Sequence, residues 1–290
     1  MKFTEAPRAK TGQDGAIFGS LMFRFDARGG ATVYDVSDID KSPSELPELP
    51  VVARFSLSPS DPVIPHANSA VFGSEYYEAG DEFPLLYLNV YNNYAKSDNK
   101  RVGECCVYRL TRARDSFACE LVQLIKIGFT DDRELWRSEG DTEDIRPYGN
   151  FVVDAERSLL HVFTMRDLDK VTRYFSFKLP RFCDGEITED GIRCVTLGKD
   201  DIIKYFDVAY HNFIQGACCH GGKIYSTEGF NANIPPVIRV IDPDLCLEIE
   251  TANLALAGYP VEAEFIDFKD GVCYYGDAHG LMLKVEFEVK

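Results

Sequence analysis

Apolar residues along this chain recur in short runs rather than at helical spacing, and Gly, Pro, Asn and Asp break the runs. That punctuation predicts strands joined by tight turns. Helical spacing appears only over 131–136 and 200–206, each predicted as a short helix. Elsewhere one grammar repeats five times: an apolar strand, a turn, a second apolar strand. The first pair occupies 15–23. The others are 69–73 with 85–91, 150–154 with 159–165, 216–220 with 223–227, and 264–268 with 272–275. A third, more alternating strand follows each pair, at 31–36, 105–110, 172–177, 237–242 and 281–287. A fourth is predicted four times, at 51–57, 120–127, 194–197 and 246–251. The fifth repeat lacks its fourth strand, and residues 1–10 are the unassigned piece left to supply it.

Near-continuous apolar strands belong where both sheet faces are covered. Four-stranded sheets arranged radially, the last completed by the opposite terminus, describe a β-propeller. The prediction is an all-β, five-bladed β-propeller forming one domain over 1–290, its last blade closed by the N-terminal strand. Five blades give about 58 residues each, above the ~40–50 of compact propellers, so several loops must be long. A sixth blade fits only if a long loop hides another sheet. In this strand grammar the chain resembles the five- and six-bladed β-propeller proteins of bacteria. The resemblance is architectural: the Asp-box of sialidases and the Trp-Asp repeat signature are both missing, and Trp136 is the single tryptophan. Architecture does not fix function.

Charge narrows the partners. Lys and Arg number 31 against 47 Asp and Glu, a formal net charge of −16. Nucleic acid and anionic membrane both call for basic patches, so neither is expected as a partner. No apolar run reaches the ~18 residues of a membrane span. No apolar leader follows Met1, and the nine cysteines lie mostly inside strand-like runs without a CxxC. Adjacent residues on a strand face opposite ways, so Cys105/Cys106 and Cys218/Cys219 are poor disulfide or metal pairs. The expectation is reduced structural thiols in a cytoplasmic protein.

In a propeller, the starts of the first strands and the ends of the second strands meet around the axis on one face. The first set contributes Gln13, Asp14, His66, Asn68, Arg146, Tyr148, Asn150, His211, Gln215, Glu262 and Glu264. Aligned on the turn glycines, Gln13, Gln215 and Glu264 fall at similar positions. The second set contributes Arg24, Arg28, Asn89, Tyr91, Asn92, Tyr94, Arg166, Glu228, Phe230, Asp277 and His279. A concave site with convergent polar groups is the default binding-site expectation.

Three chemistries fit this set. In the first, a small polar or saccharide ligand is bound, with Glu264 and Glu228 as leading acid and base and Asp14 and Asp277 as further carboxyls. Five-bladed propellers of similar architecture include glycosidases with three axial carboxylates, which implies hydrolase or lyase activity. Tyr91, Tyr148 and Phe230 would stack on sugar rings; Gln13, Asn68, Asn92, Asn150, Gln215 and Glu262 would bind hydroxyls; Arg146 and Arg166 would clamp an anionic group. In the second, His66, His211 and His279 ligate a divalent metal for a lyase or isomerase, although no local metal-binding spacing such as HExxH is present. In the third, the propeller is a non-enzymatic scaffold for a ligand or protein. Dinucleotide, P-loop, nucleophile-elbow and EF-hand motifs are all missing.

Overall fold

A computed structural model describes residues 1–10, 12–58, 61–90, 101–139, 149–230 and 233–288. In chain order the strands are β1 Lys2–Ala6, β2 Gly15–Phe18, β3 Leu21–Phe25, β4 Gly30–Asp35, β5 Val51–Ser56, β6 Ala70–Phe72, β7 Leu86–Asn89, β8 Glu104–Ala113 and β9 Ser116–Ile127. They continue with β10 Asn150–Asp154, β11 Leu159–Arg166, β12 Val171–Lys178, β13 Glu186–Ile187, β14 Arg193–Leu197 and β15 Lys204–Ala209. The last are β16 Ile214–His220, β17 Lys223–Glu228, β18 Val237–Asp242, β19 Leu247–Asn253, β20 Ala263–Lys269, β21 Val272–Asp277 and β22 Met282–Glu286.

These strands form five sheets: β2-β3-β4-β5, β6-β7-β8-β9-β14-β13, β10-β11-β12-β15, β16-β17-β18-β19 and β20-β21-β22-β1. The inner strands β2, β6, β10, β16 and β20 each lie against the next, and β20 returns to β2. The fold is a five-bladed β-propeller. As predicted, the N-terminal strand completes the fifth blade: β1 pairs antiparallel with β22 in the register Lys2↔Glu286 to Ala6↔Met282. No helix among the described residues is long and apolar enough to cross a membrane.

The apolar runs pack as expected of sheets covered on both faces. Cys105 and Cys106 are both fully buried, yet they enter different core clusters on opposite faces of their sheet. All nine cysteines are free thiols.

The third blade departs from the sequence reading. Its outer strand is β15, not 194–197, and of the helix predicted over 200–206 only Asp200 and Asp201 are helical, within the single 3-10 turn Lys199–Asp201. Cross-strand chemistry selects β15: Arg173 grips Asp207 through two bonds of 2.6 and 2.7 Å, and Tyr174 stacks on Phe206 at 5.5 Å. Segment 194–197 instead lies within β14, which adds in parallel to β9 of the second blade. The stretch 131–136 makes turns rather than a helix, with Asp132 Oδ1 accepting the Glu134 and Leu135 amides. Those turns deliver Trp136 into the core, and Gly149, at φ +82°, leaves it room.

At the lower end of the axis, Asp267 of β20 joins the fifth blade to the first: its Oδ2 accepts the Ile17 amide at 2.6 Å. Burial pushes its carboxyl up to about 7, against about 3.9 in an unfolded chain. Folding therefore takes up a proton across that window, and the contribution to stability falls as pH rises through it. Asp267→Asn, which keeps an acceptor for Ile17, is expected to gain stability over wild type between pH 4 and 7 and hold that advantage above. Denaturation midpoints against pH check this; parallel profiles would refute it.

Candidate functional site

The upper end of the axis is organised by how each chain segment enters its inner strand. Ala67 (φ 59°), Gly149 (φ 82°) and Phe213 (φ 56°) are left-handed and immediately precede Asn68, Asn150 and Ile214. This repeated turn precedes the inner strand in three blades; the polar Asn68 and Asn150 follow it in two, and in the third it leads through Ile214 to Gln215. Strain of this kind in non-glycine residues costs about 1–3 kcal/mol and persists where the surrounding structure enforces it.

Two blades carry a second device. The β16–β17 register skips between Ile214 and Gly216, and the β20–β21 register skips between Ala263 and Phe265. Gln215 and Glu264 are thus the extra residues of two β-bulges at equivalent positions. Bulges re-aim side chains and are frequent beside functional sites.

Asp14 lies at the centre and is fully buried. Its Oδ2 accepts the amides of Ala70 and Ala217, each at 3.1 Å, and its Oδ1 that of Ile266 at 3.3 Å. One carboxyl so ties the first blade to the second, fourth and fifth. Burial pushes its pKa well up, while the amides and Arg24 pull against that. The Ser69 hydroxyl adds a bond of 2.7 Å to the Phe151 carbonyl of the third blade. Above this plug, Asn89 donates to Asn68 Oδ1 at 2.9 Å and to Asn150 Oδ1 at 2.8 Å, and Asn68 donates to the Ile214 carbonyl.

The opposite wall is acidic. Gln215 donates to Glu262 Oε1 at 2.7 Å. Arg24, 2% exposed, donates to the carbonyls of Gln13 and Gly12 and lies 4.8 Å from the Phe265 ring. A side chain in place of Gly276 would come within 3.0 Å of that guanidinium. Glu264 is 4% exposed. Burial, with Glu262 alongside, pushes its carboxyl well above the usual range, while Arg24 pulls the other way. Burial also raises Glu262. Four buried polar atoms at this mouth lack a hydrogen-bond partner among the described residues: Gln13 Oε1, Asn89 Oδ1, Asn150 Nδ2 and Glu264 Oε2. Buried polar atoms are ordinarily paired, so this concentration marks a place for a ligand or ordered water.

Other predicted residues have different settings. Glu228 Oε1 is held by Arg239 at 2.7 and 3.1 Å and its Oε2 accepts the Asn212 amide; Arg239 also binds Glu248. Glu228 is therefore a member of an ion-pair network within the fourth blade rather than the free partner of Glu264. Asp277 Oδ1 accepts the His279 and Leu281 amides and fixes the β21–β22 turn. Arg166 is bound to Asp169 and to the carbonyls of Arg137 and Arg133, which commits four of its five N–H donors within the protein. Phe230, 49% exposed, stacks on Phe213 at 5.5 Å. Tyr91, Asn92, Tyr94, Arg146 and Tyr148 lie outside the described residues.

The predicted metal triad is not assembled. His211 is buried with Glu248 3.6 Å from Nε2 and the Tyr174 hydroxyl 3.4 Å from Nδ1; His279 is exposed on the turn after β21; His66 is buried near the second-blade entry. Among the described residues no group of three or more His, Cys, Asp or Glu side chains gathers as a metal site. Sequence reasoning overlooked the Arg239–Glu248 pair, whose signal was opposite charges on adjacent strands, and the bulges, which leave only an extra residue in register.

No protein-family model and no curated protein matches this sequence. Solved structures do resemble it in three dimensions. A glutaminyl cyclase from Myxococcus xanthus aligns over 99% of this chain and 94% of its own, with a TM-score of 0.48 and 10% identity. A Thermus thermophilus protein described as an oxidoreductase (glucose dehydrogenase) aligns over 98% of this chain and 99% of its own, with a TM-score of 0.48 and 9% identity. BamB from Moraxella catarrhalis aligns over 94% and 71%, with a TM-score of 0.35 and 10% identity. Likenesses this distant carry no argument about activity, and the fold assignment rests on the sheets themselves.

Proposed function

We propose that the axial mouth binds a small polar, carbohydrate-like ligand and that Glu264, held protonated, donates a proton to it in hydrolase or lyase chemistry. The observation that carries this reading is Glu264 itself. It is a bulge residue, nearly fully buried, with Oε2 unpartnered and its proton retained by burial and by Glu262. A carboxylic acid kept neutral near pH 7 is the arrangement general-acid catalysis needs. Glu262, oriented by Gln215, is the second carboxyl and the base in this scheme. From the other side Asn150 Nδ2 and Asn89 Oδ1, unpartnered among the described residues, offer a donor and an acceptor to hydroxyl groups, and the Phe213–Phe230 stack offers an apolar surface for a ring.

The test pairs a ligand panel with Glu264→Gln. A sugar or sugar derivative at 100 times its Kd should add about 2.7 kcal/mol of stability. Glu264→Gln should lower turnover of the panel's substrate by about 10²-fold or more, the usual range for a general acid. The same variant should be more stable than wild type at neutral pH. Glu264 has a raised folded-state pKa, so the wild type loses stability as pH climbs above the unfolded value and the neutral amide does not. Unchanged turnover, or a panel without any stabilising compound, overturns the reading.

A further inference from the structure

The charges around Glu264 say more about the ligand than its polarity does. Three other carboxyls act on it: Glu262 from the approach to the same strand, Asp14 from the entry to β2 and Asp277 from the end of β21. The cation acting on it is Arg24 of β3. That guanidinium offsets charge through space, and three of its five N–H donors are already committed to backbone carbonyls. Its Nε and Nη2 are spent on the Gln13 and Gly12 carbonyls, and Nη1 points at Met282 Sδ, 4.0 Å away. Of the two arginines expected to clamp an anion, Arg146 lies outside the described residues and Arg166 is engaged by Asp169 and two carbonyls. Among the described residues the mouth therefore offers mainly carboxyl oxygens, of which Glu264 Oε2 is buried and unpartnered, against Arg24, whose donors are mostly turned to backbone carbonyls.

The rim points the same way. The Gln215 amide lies between Glu262 Oε1 at 2.7 Å and the Gly229 carbonyl at 3.5 Å, and the residue after Gly229 is Phe230, half-exposed on top of Phe213. An aromatic face next to a carboxyl pair favours a positively charged group. A protonated amine can donate to both glutamates at once. A neutral hydroxyl has one proton to give, and a carboxylate has none.

We infer that the ligand of this mouth carries a protonated amine, taken up between Glu262 and Glu264 beside the Phe213–Phe230 stack, in preference to its neutral or anionic counterpart. This rests on the reading of the axial mouth as a ligand site and adds the charge class of the ligand.

A matched set of probes decides it: D-glucosamine, D-glucose and D-glucuronate, with cyclohexylamine as an amine that is not a sugar. Binding to the intact protein is measured by ligand-observed NMR titration near pH 7, in wild type and in Glu262→Gln. The expected result is glucosamine or cyclohexylamine binding about tenfold or more tightly than glucose and glucuronate, with that preference lost in Glu262→Gln. Comparing the variants separates the mouth from loose association of amines with an acidic surface, which Glu262→Gln would leave unchanged and which would overturn the inference. Matching melting temperatures show that the variant is folded, and Gln215→Ala, which frees Glu262 of its amide partner, gives a second reading of the same pocket. Glucose or glucuronate binding as tightly as the amines overturns the charge preference and leaves the ligand site standing. No binding by any probe overturns both.

Discussion

Removing residues 1–10 should cost the chain on the order of 5 kcal/mol, a large share of the roughly 5–15 kcal/mol that holds a typical domain together. The β1 ladder spans five register pairs along β22, and backbone hydrogen bonds contribute about 1 kcal/mol each. Ala6 and Ala9 also leave the core, and Phe3 leaves its edge-on contact with Tyr259. The Met1 amine releases Glu250 and Glu288. What remains is an open β22 edge, the kind of unpaired strand that invites association between molecules. Denaturant unfolding measures the loss and light scattering the association. A circular permutant sharpens the result. Lys2 and Glu286 are register partners, so a short turn after residue 288 can lead directly into β1. The permutant should recover most of the stability; a deletion that melts with the wild type would refute the closure.

Asp14→Ala is expected to be nearly as damaging, at about 4 kcal/mol or more. The carboxyl is the acceptor for three amides from three other blades, and none of those amides has water within easy reach. An unsatisfied buried donor costs about 1–3 kcal/mol. Arg24 would also lose the carboxyl that does most to offset its buried charge. Asp14→Asn, which keeps one acceptor oxygen, should fall between wild type and alanine. Urea midpoints of the three proteins give the ranking, and a loss under about 1 kcal/mol for alanine, below the cost of even one orphaned donor, would show that the channel reorganises around the gap. Asp14 thus belongs to what holds the blades together, although its position at a first-strand start matched that of the catalytic candidates.

The ring was legible because it is written in repetition: each apolar pair and its alternating third strand recur in order, and one outer strand was missing where one terminal segment was spare. The third blade was not legible, because its two candidate outer strands differ in partner rather than in character. Val195 and Leu197 look as strand-like as Phe206 and Val208, and only the Arg173–Asp207 and Tyr174–Phe206 pairings tell them apart. The site divides similarly. Position along the strands located the Asn68, Asn150, Gln215 and Glu264 cluster, because a propeller converts strand starts into a shared rim. The same logic placed Glu228 there with equal right, and Arg239, eleven residues on, claimed it across the ladder. Exposure and pairing of a carboxylate depend on neighbours far along the chain, which a pattern of types does not record.

The parallel addition of β14 to β9 has a consequence for the order in which this chain can assemble. The polypeptide builds most of the second blade by Ile127, lays down three strands of the third, goes back to the second at Arg193, and supplies the third with its outer strand only from Lys204 onward. During vectorial synthesis neither unit is complete before the other is nearly out of the ribosome. The two form an interlaced pair: a cut between residues 127 and 150 would strip the second blade of β14, and a cut between 178 and 193 would strip the third of β15 as well.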